Sequence, residues 1–141
     1  MVQIKSYTDL EQSRKLAEFL PLESADMCWT NHCYGTIRSS LTVSSKTIEE
    51  YKNLLTRYYD LNDTDVFYPC WSLSALLNVL PKKYYPIRDH ETNLILGKPN
   101  DKWCVLYWDA TGMQDGEQTL ADNLVDACVA MIEKLHELKM L

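Results

Sequence analysis

Asp26, Cys28, His32 and Cys33 bring a carboxylate, two thiols and an imidazole into one short stretch of a 141-residue chain. Those side chains could bind a metal ion or activate a thiol. Zinc needs three or four ligands converging on one tetrahedron, and the spacing Cys-x-x-x-His-Cys lacks both a Cys-x-x-Cys knuckle and a second ligand pair. His90 and His136 stand far along the chain, so no metal site is expected. The stretch PCWSLSALLNVLP, from Pro69 to Pro81, offers Cys70 and Ser72 as nucleophiles. Neither has a histidine beside it in sequence or a glycine-framed elbow to strain it, and both are requirements of covalent catalysis. Glu49 and Glu50 stand at a helix start and Asp60, Asp63 and Asp65 in a loop, where solvated charge is the natural reading. Gly35, Gly97, Gly112 and Gly116 form no phosphate-cradling motif, so no cofactor is expected.

Composition narrows the class further. A length of 141 residues lets a single core bury roughly two-thirds of the unfolded surface. A net charge of −6 opposes a general affinity for phosphate backbones, and Lys82, Lys83 and Arg88 read as a solvated basic loop around a tyrosine pair. Nucleic acid is therefore not an expected partner. Five scattered cysteines suit reduced, buried thiols better than a disulfide framework. The N-terminal stretch turns polar after four residues and no apolar run reaches bilayer length. A soluble, cytoplasmic protein with no membrane contact is the expectation.

The elements that must position these residues are read from period and caps. Thr8-Asp9-Leu10-Glu11 has capping-box spacing before a helix that Pro21 ends, and Thr47-Ile48-Glu49-Glu50 repeats it before a helix over Ile48 to Tyr59. Leu73, Leu76, Leu77 and Leu80 follow Ser72 at helical spacing, so PCWSLSALLNVLP reads as a short buried helix capped by Ser72. Strands are expected at Tyr84 to Arg88, Asn93 to Leu96, Lys102 to Asp109 and Glu117 to Thr119. A final helix is expected from Asn123 to Leu138, capped by Asp122. Cys28 to Val43 shows no period and reads as irregular chain with a short strand near Tyr34 to Arg38. Together these give one α+β domain over 1–141, an antiparallel three- to four-stranded meander with helices packed on one face.

One strand departs from the pattern of a half-wet sheet. In KWCVLYWD, Cys104, Leu106 and Trp108 point one way and Trp103, Val105 and Tyr107 the other, and both sets are apolar. An antiparallel sheet with one wet face should alternate apolar with polar. Something must cover the side away from the helices: other parts of the chain, a partner or a ligand.

Four segments taken together resemble a known group: LPLESADM, YPCWSLSALLNVLP, WCVLYW and DNLVDACVAMIEKLHEL. In that order they are similar to a family of small uncharacterised proteins of gut Bacteroides-type bacteria, their prophages and mobile elements. The resemblance implies a bacterial or phage setting and no assigned activity. The residues themselves point away from an enzyme and towards a non-catalytic protein-binding or adaptor domain, homodimeric or bound to another protein. Its expected contact residues are Trp103, Val105 and Tyr107 with Tyr84, Tyr85 and Arg88 at the edge. The alternative is a small enzyme or ligand binder with a pocket near Cys28 to Tyr34, using His32 and Cys33.

Overall fold

A computed structural model describes residues 4–31, 33–34, 37–38, 41–56, 66–87, 90–108 and 115–141. The fold is α+β. The chain forms two compact units, Tyr7–Ala75 and Met1–Ser6 with Leu76–Leu141.

The first unit opens with α1 (Leu10–Ala17). Its capping box sits one residue later than the spacing at Thr8 suggests: Asp9 Oδ1 accepts from Gln12 N at 2.8 Å and Gln12 Oε1 from Asp9 N at 3.1 Å. Asp9 wins because Thr8 is bonded elsewhere. Beyond a short 3₁₀ turn at Leu22–Ser24 come β1 (Met27–Asn31), the small hairpin β2 (Cys33–Tyr34) and β3 (Ile37–Arg38), then β4 (Thr42–Ser44), α2 (Ile48–Thr56) and β5 (Val66–Cys70). β1 lies between β4 and β5 in an antiparallel sheet, with Trp29 opposite both Val43 and Tyr68. Most of the described residues from Cys28 to Val43, a stretch that reads as irregular with a short strand near Tyr34 to Arg38, are therefore strand, β1 and β4 through partners distant in sequence and β2 and β3 as a local hairpin. At α2 the expected cap is present, with Glu50 N donating to Thr47 Oγ1 at 3.2 Å.

This unit is held by a buried polar node at Thr8. Its backbone N–H donates to Trp71 O at 2.9 Å, and its hydroxyl accepts from Trp71 N at 3.1 Å and bonds Ser13 Oγ at 2.7 Å. Its carbonyl accepts from Trp29 Nε1 at 3.1 Å and from the Cys70 thiol at 3.5 Å. Thr8, Ser13, Cys70 and Trp71 are fully buried. Desolvated donors are costly unless paired, and one threonine here serves α1, β1 and the end of β5 at once.

The helix α3 (Leu73–Val79) begins as its sequence indicates: Ser72 Oγ accepts from Ala75 N at 3.2 Å. Asp26 braces that cap by accepting from both Ser72 N, at 2.9 Å, and the Ser72 hydroxyl.

The second unit contains β6 (Lys83–Ile87), β7 (His90–Gly97), β8 (Trp103–Trp108) and β9 (Asp115–Ala121) as a four-stranded antiparallel meander in chain order, followed by α4 (Leu124–Glu137). The cap of α4 is Asn123, whose side chain accepts from Asp126 N at 2.8 Å, while the expected cap Asp122 pairs with Lys102 at 2.6 Å. α4 packs on β8 and β9 and buries Val125, Cys128, Ile132 and Leu135 among others.

Replacing Thr8 with Val keeps the shape but leaves Trp71 N–H without its partner, while the Ser13 hydroxyl keeps its bond to Cys70. The expected loss is roughly 1–3 kcal/mol for the stranded N–H, read from urea unfolding of the full chain. A loss under about 0.5 kcal/mol, the level of an ordinary surface substitution, would show that the node does not organise this unit.

Candidate functional site

Register across the meander separates its two faces. Directly paired residues share a face, so Leu96, Val105 and Thr119 form one row, and Ile95, Leu106 and Gln118 another on the opposite side. Thr119 Oγ1 donates to Ala127 O of α4 at 2.8 Å, which fixes the Val105 row as the helix side. Val105 and Tyr107 are fully buried there, and the Tyr107 hydroxyl donates to Pro81 O at 2.6 Å. Trp103 is half-buried on the same side, with Lys98 Nζ 5.7 Å from its ring centroid.

Of the contact residues expected from sequence, Val105 and Tyr107 are thus core residues under α4 and present no surface. Only Trp103 of that trio is part-exposed. Tyr84 and Tyr85 fall within β6, and Arg88 lies outside the described residues.

The outward face belongs to the other half of β8. Trp108 is 41% exposed, Ile95 37% and Leu120 55%, with Leu106 half-buried among them and Cys104 buried beneath. Leu120 pairs with Cys104 and Trp108 with Asn93, which puts all of these on the side away from α4. On the α4 side Leu96 is also part-exposed, at 39%. The sequence signal for this face was present, an apolar strand on both sides. Alternation alone could not say which half the helix would take.

The cysteine cluster has a different character. Cys28 is fully buried in β1; His32 lies outside the described residues and Cys33 is described only as part of β2. Among the described residues, no three His, Cys, Asp or Glu side chains are grouped to hold a metal ion. Burial pushes the Cys28 thiol up to about 11, with the Cys70 thiol adding to the effect, and pushes Cys128 up to about 12. Cys70 and Cys104 are also raised by burial, partly offset by hydrogen bonds from Thr8 and Ser13 and from Gln118 respectively. Thiols held in the neutral form are poor nucleophiles.

Within the first unit, a cavity of about 310 Å³ lies beside β1 and the start of α2. Ala25, Met27, Ile48 and Pro69 supply apolar wall, and the exposed Glu23 and Glu49 stand at its rim.

Comparison with protein families, with curated proteins and with solved structures finds no match to this chain.

The thiols set a pH dependence with a definite sign. The unfolded chain releases each thiol proton near 9.0 while the folded chain holds it to about 11 at Cys28 and about 12 at Cys128. Stability from these two groups is complete below pH 9 and is lost as the pH rises towards 11 and 12. The slope reaches about 1.4 kcal/mol per pH unit for each thiol. Urea midpoints measured across that window should fall, and Cys128→Ala should fall less steeply. A midpoint independent of pH through the window would contradict the burial of these thiols.

Proposed function

We propose that this chain is a non-catalytic protein-binding domain whose contact surface is the face of the β6–β9 sheet turned away from α4. The observation that carries the reading is the exposure of Ile95, Trp108 and Leu120 on one sheet face. Large apolar side chains grouped on a wet face mark interaction sites more often than isolated ones do, and covering each is worth roughly 1.5–3 kcal/mol before the costs of association. Tryptophan and its neighbours supply the kind of anchor that dominates interface energetics. Cys28, Cys70, Cys104 and Cys128, buried and held neutral, favour binding over thiol chemistry at those positions. The four segments similar to the Bacteroides-type family suggest an accessory protein of a phage or mobile element as the setting, a role that partner binding suits.

A full-length pull-down from bacterial lysate tests this reading, comparing wild type with an Ile95→Thr/Trp108→Ser variant. Both positions are part-exposed, so the variant should fold and its captured proteins should fall at least about tenfold, the equivalent of roughly 1.4 kcal/mol. Recovery of the same proteins in the same amounts would overturn the reading.

The cavity beside Met27 and Ile48 supports a second reading, binding of a small ligand, with less behind it because it is open and its charged groups are solvated. Its size is at the lower end for ligand sites, about 300–1,000 Å³. Two rim carboxylates favour a cation on an apolar stem. Titration with n-butylguanidinium should shift the NMR signals of the Met27 and Ile48 methyl groups; unshifted signals at saturating probe would remove this reading.

A further inference from the structure

β6 and β9 are the two edges of the meander, and they are built differently. A strand edge presents unpaired N–H and C=O groups, which folded proteins blunt with proline, lysine or a bulge. β6 has all three: Pro86 within the strand, Lys83 at its start, and a register shift between Tyr84 and Ile87. β9 has its own register shift nearer its start, between the Leu106 and Trp108 pairs, but is plain along Gln118–Ala121. That stretch pairs in unbroken register with Trp103–Leu106 and contains no proline and no charge. Among the described residues, its outer backbone groups make no hydrogen bond beyond the β8 ladder. Gln118 and Leu120 on it are exposed.

We propose that a second copy of this chain pairs with β9, antiparallel across a two-fold axis at Leu120, to make one eight-stranded sheet. Paired residues must share a face, so an axis normal to the sheet has to pass through a residue rather than between two. Centred on Leu120, it sets Leu120 against Leu120 of the partner subunit on the open face and Thr119 against Ala121 of the partner subunit on the α4 face. Gln118 then meets Asp122 of the partner subunit, an amide facing a carboxylate. Charge does not oppose a like copy at this edge despite the net −6. The two flanking acids already hold their own lysines, Glu117 with Lys134 at 2.9 Å and Asp122 with Lys102 at 2.6 Å, so pairing places no unpaired acids opposite each other. Leu120 from both copies also joins the two apolar faces across the axis.

The proposal stands on the strand edge, so it can fail while partner binding through the open face survives. Sedimentation of the full chain from roughly 1 μM to 1 mM, the range of a weak to moderate association, is combined with amide exchange over Gln118–Ala121. The expected result is a dimer whose formation protects the amides not bonded to β8. Leu120→Lys, which gives this edge the lysine that β6 has, should weaken dimerisation at least about tenfold, whereas Trp108→Ser should leave it within about threefold. A chain that is monomeric throughout overturns the proposal, as does a dimer lost on Trp108→Ser but kept on Leu120→Lys. Protection of those amides in the dilute monomer would also overturn it, since the edge would then be covered within one chain. If Leu120→Lys fails to fold, the wild-type exchange data decide alone.

Discussion

A strand that is apolar on both sides needs two covers, and the second unit supplies a helix for one. β8 sets this constraint. Val105 and Tyr107 are closed off under α4, and the tie from Thr119 to the backbone of α4 locks that choice of face. Ile95, Trp108 and Leu120 are then left outward by the geometry of a pleat, because a one-residue slip would exchange the two sets wholesale. The candidate surface is thus the consequence of how the core is made.

The first unit solves a different problem. Its three-stranded sheet is short, and its centre is polar as well as apolar: Thr8 and Ser13 are buried alongside Cys70 and Trp71. Satisfying that many desolvated groups at one residue fixes where α1 starts relative to β5, a specificity that apolar packing of similar area would leave looser. Cys28 and Cys70 belong to this packing. Small, weakly polar and held protonated, they fill space there and do not compete for reactivity.

Local signals made part of this fold legible. The Ser72 cap and the leucine spacing of PCWSLSALLNVLP predict α3, Thr47 marks the start of α2, and the broad apolar face of DNLVDACVAMIEKLHEL predicts α4. The meander is readable from turn residues between β-rich runs. β1, β4 and β5 are not, since Trp29 finds Val43 and Tyr68 only through long-range pairing and none of the three strands alternates cleanly. The cap of α1 lies one residue beyond the one its spacing suggests because Thr8 and Asp9 are both good caps, and only the burial of Thr8 decides between them. For the site, the two-sided character of WCVLYW is plain in sequence, whereas the side taken by α4 depends on tertiary packing, which encloses Val105 and Tyr107 and turns Leu106 and Trp108 the other way.

The exposure of Trp108 against the enclosure of Tyr107 is the point on which the whole account turns, and hydroxyl-radical footprinting of the dilute chain measures both at once. Rapid modification is expected at Trp108, with Tyr107 and the core Trp71 protected until the chain unfolds. Protection of Trp108 equal to that of Tyr107 in a monomeric sample would mean that the chain covers both faces of its own sheet, and the binding surface would not exist.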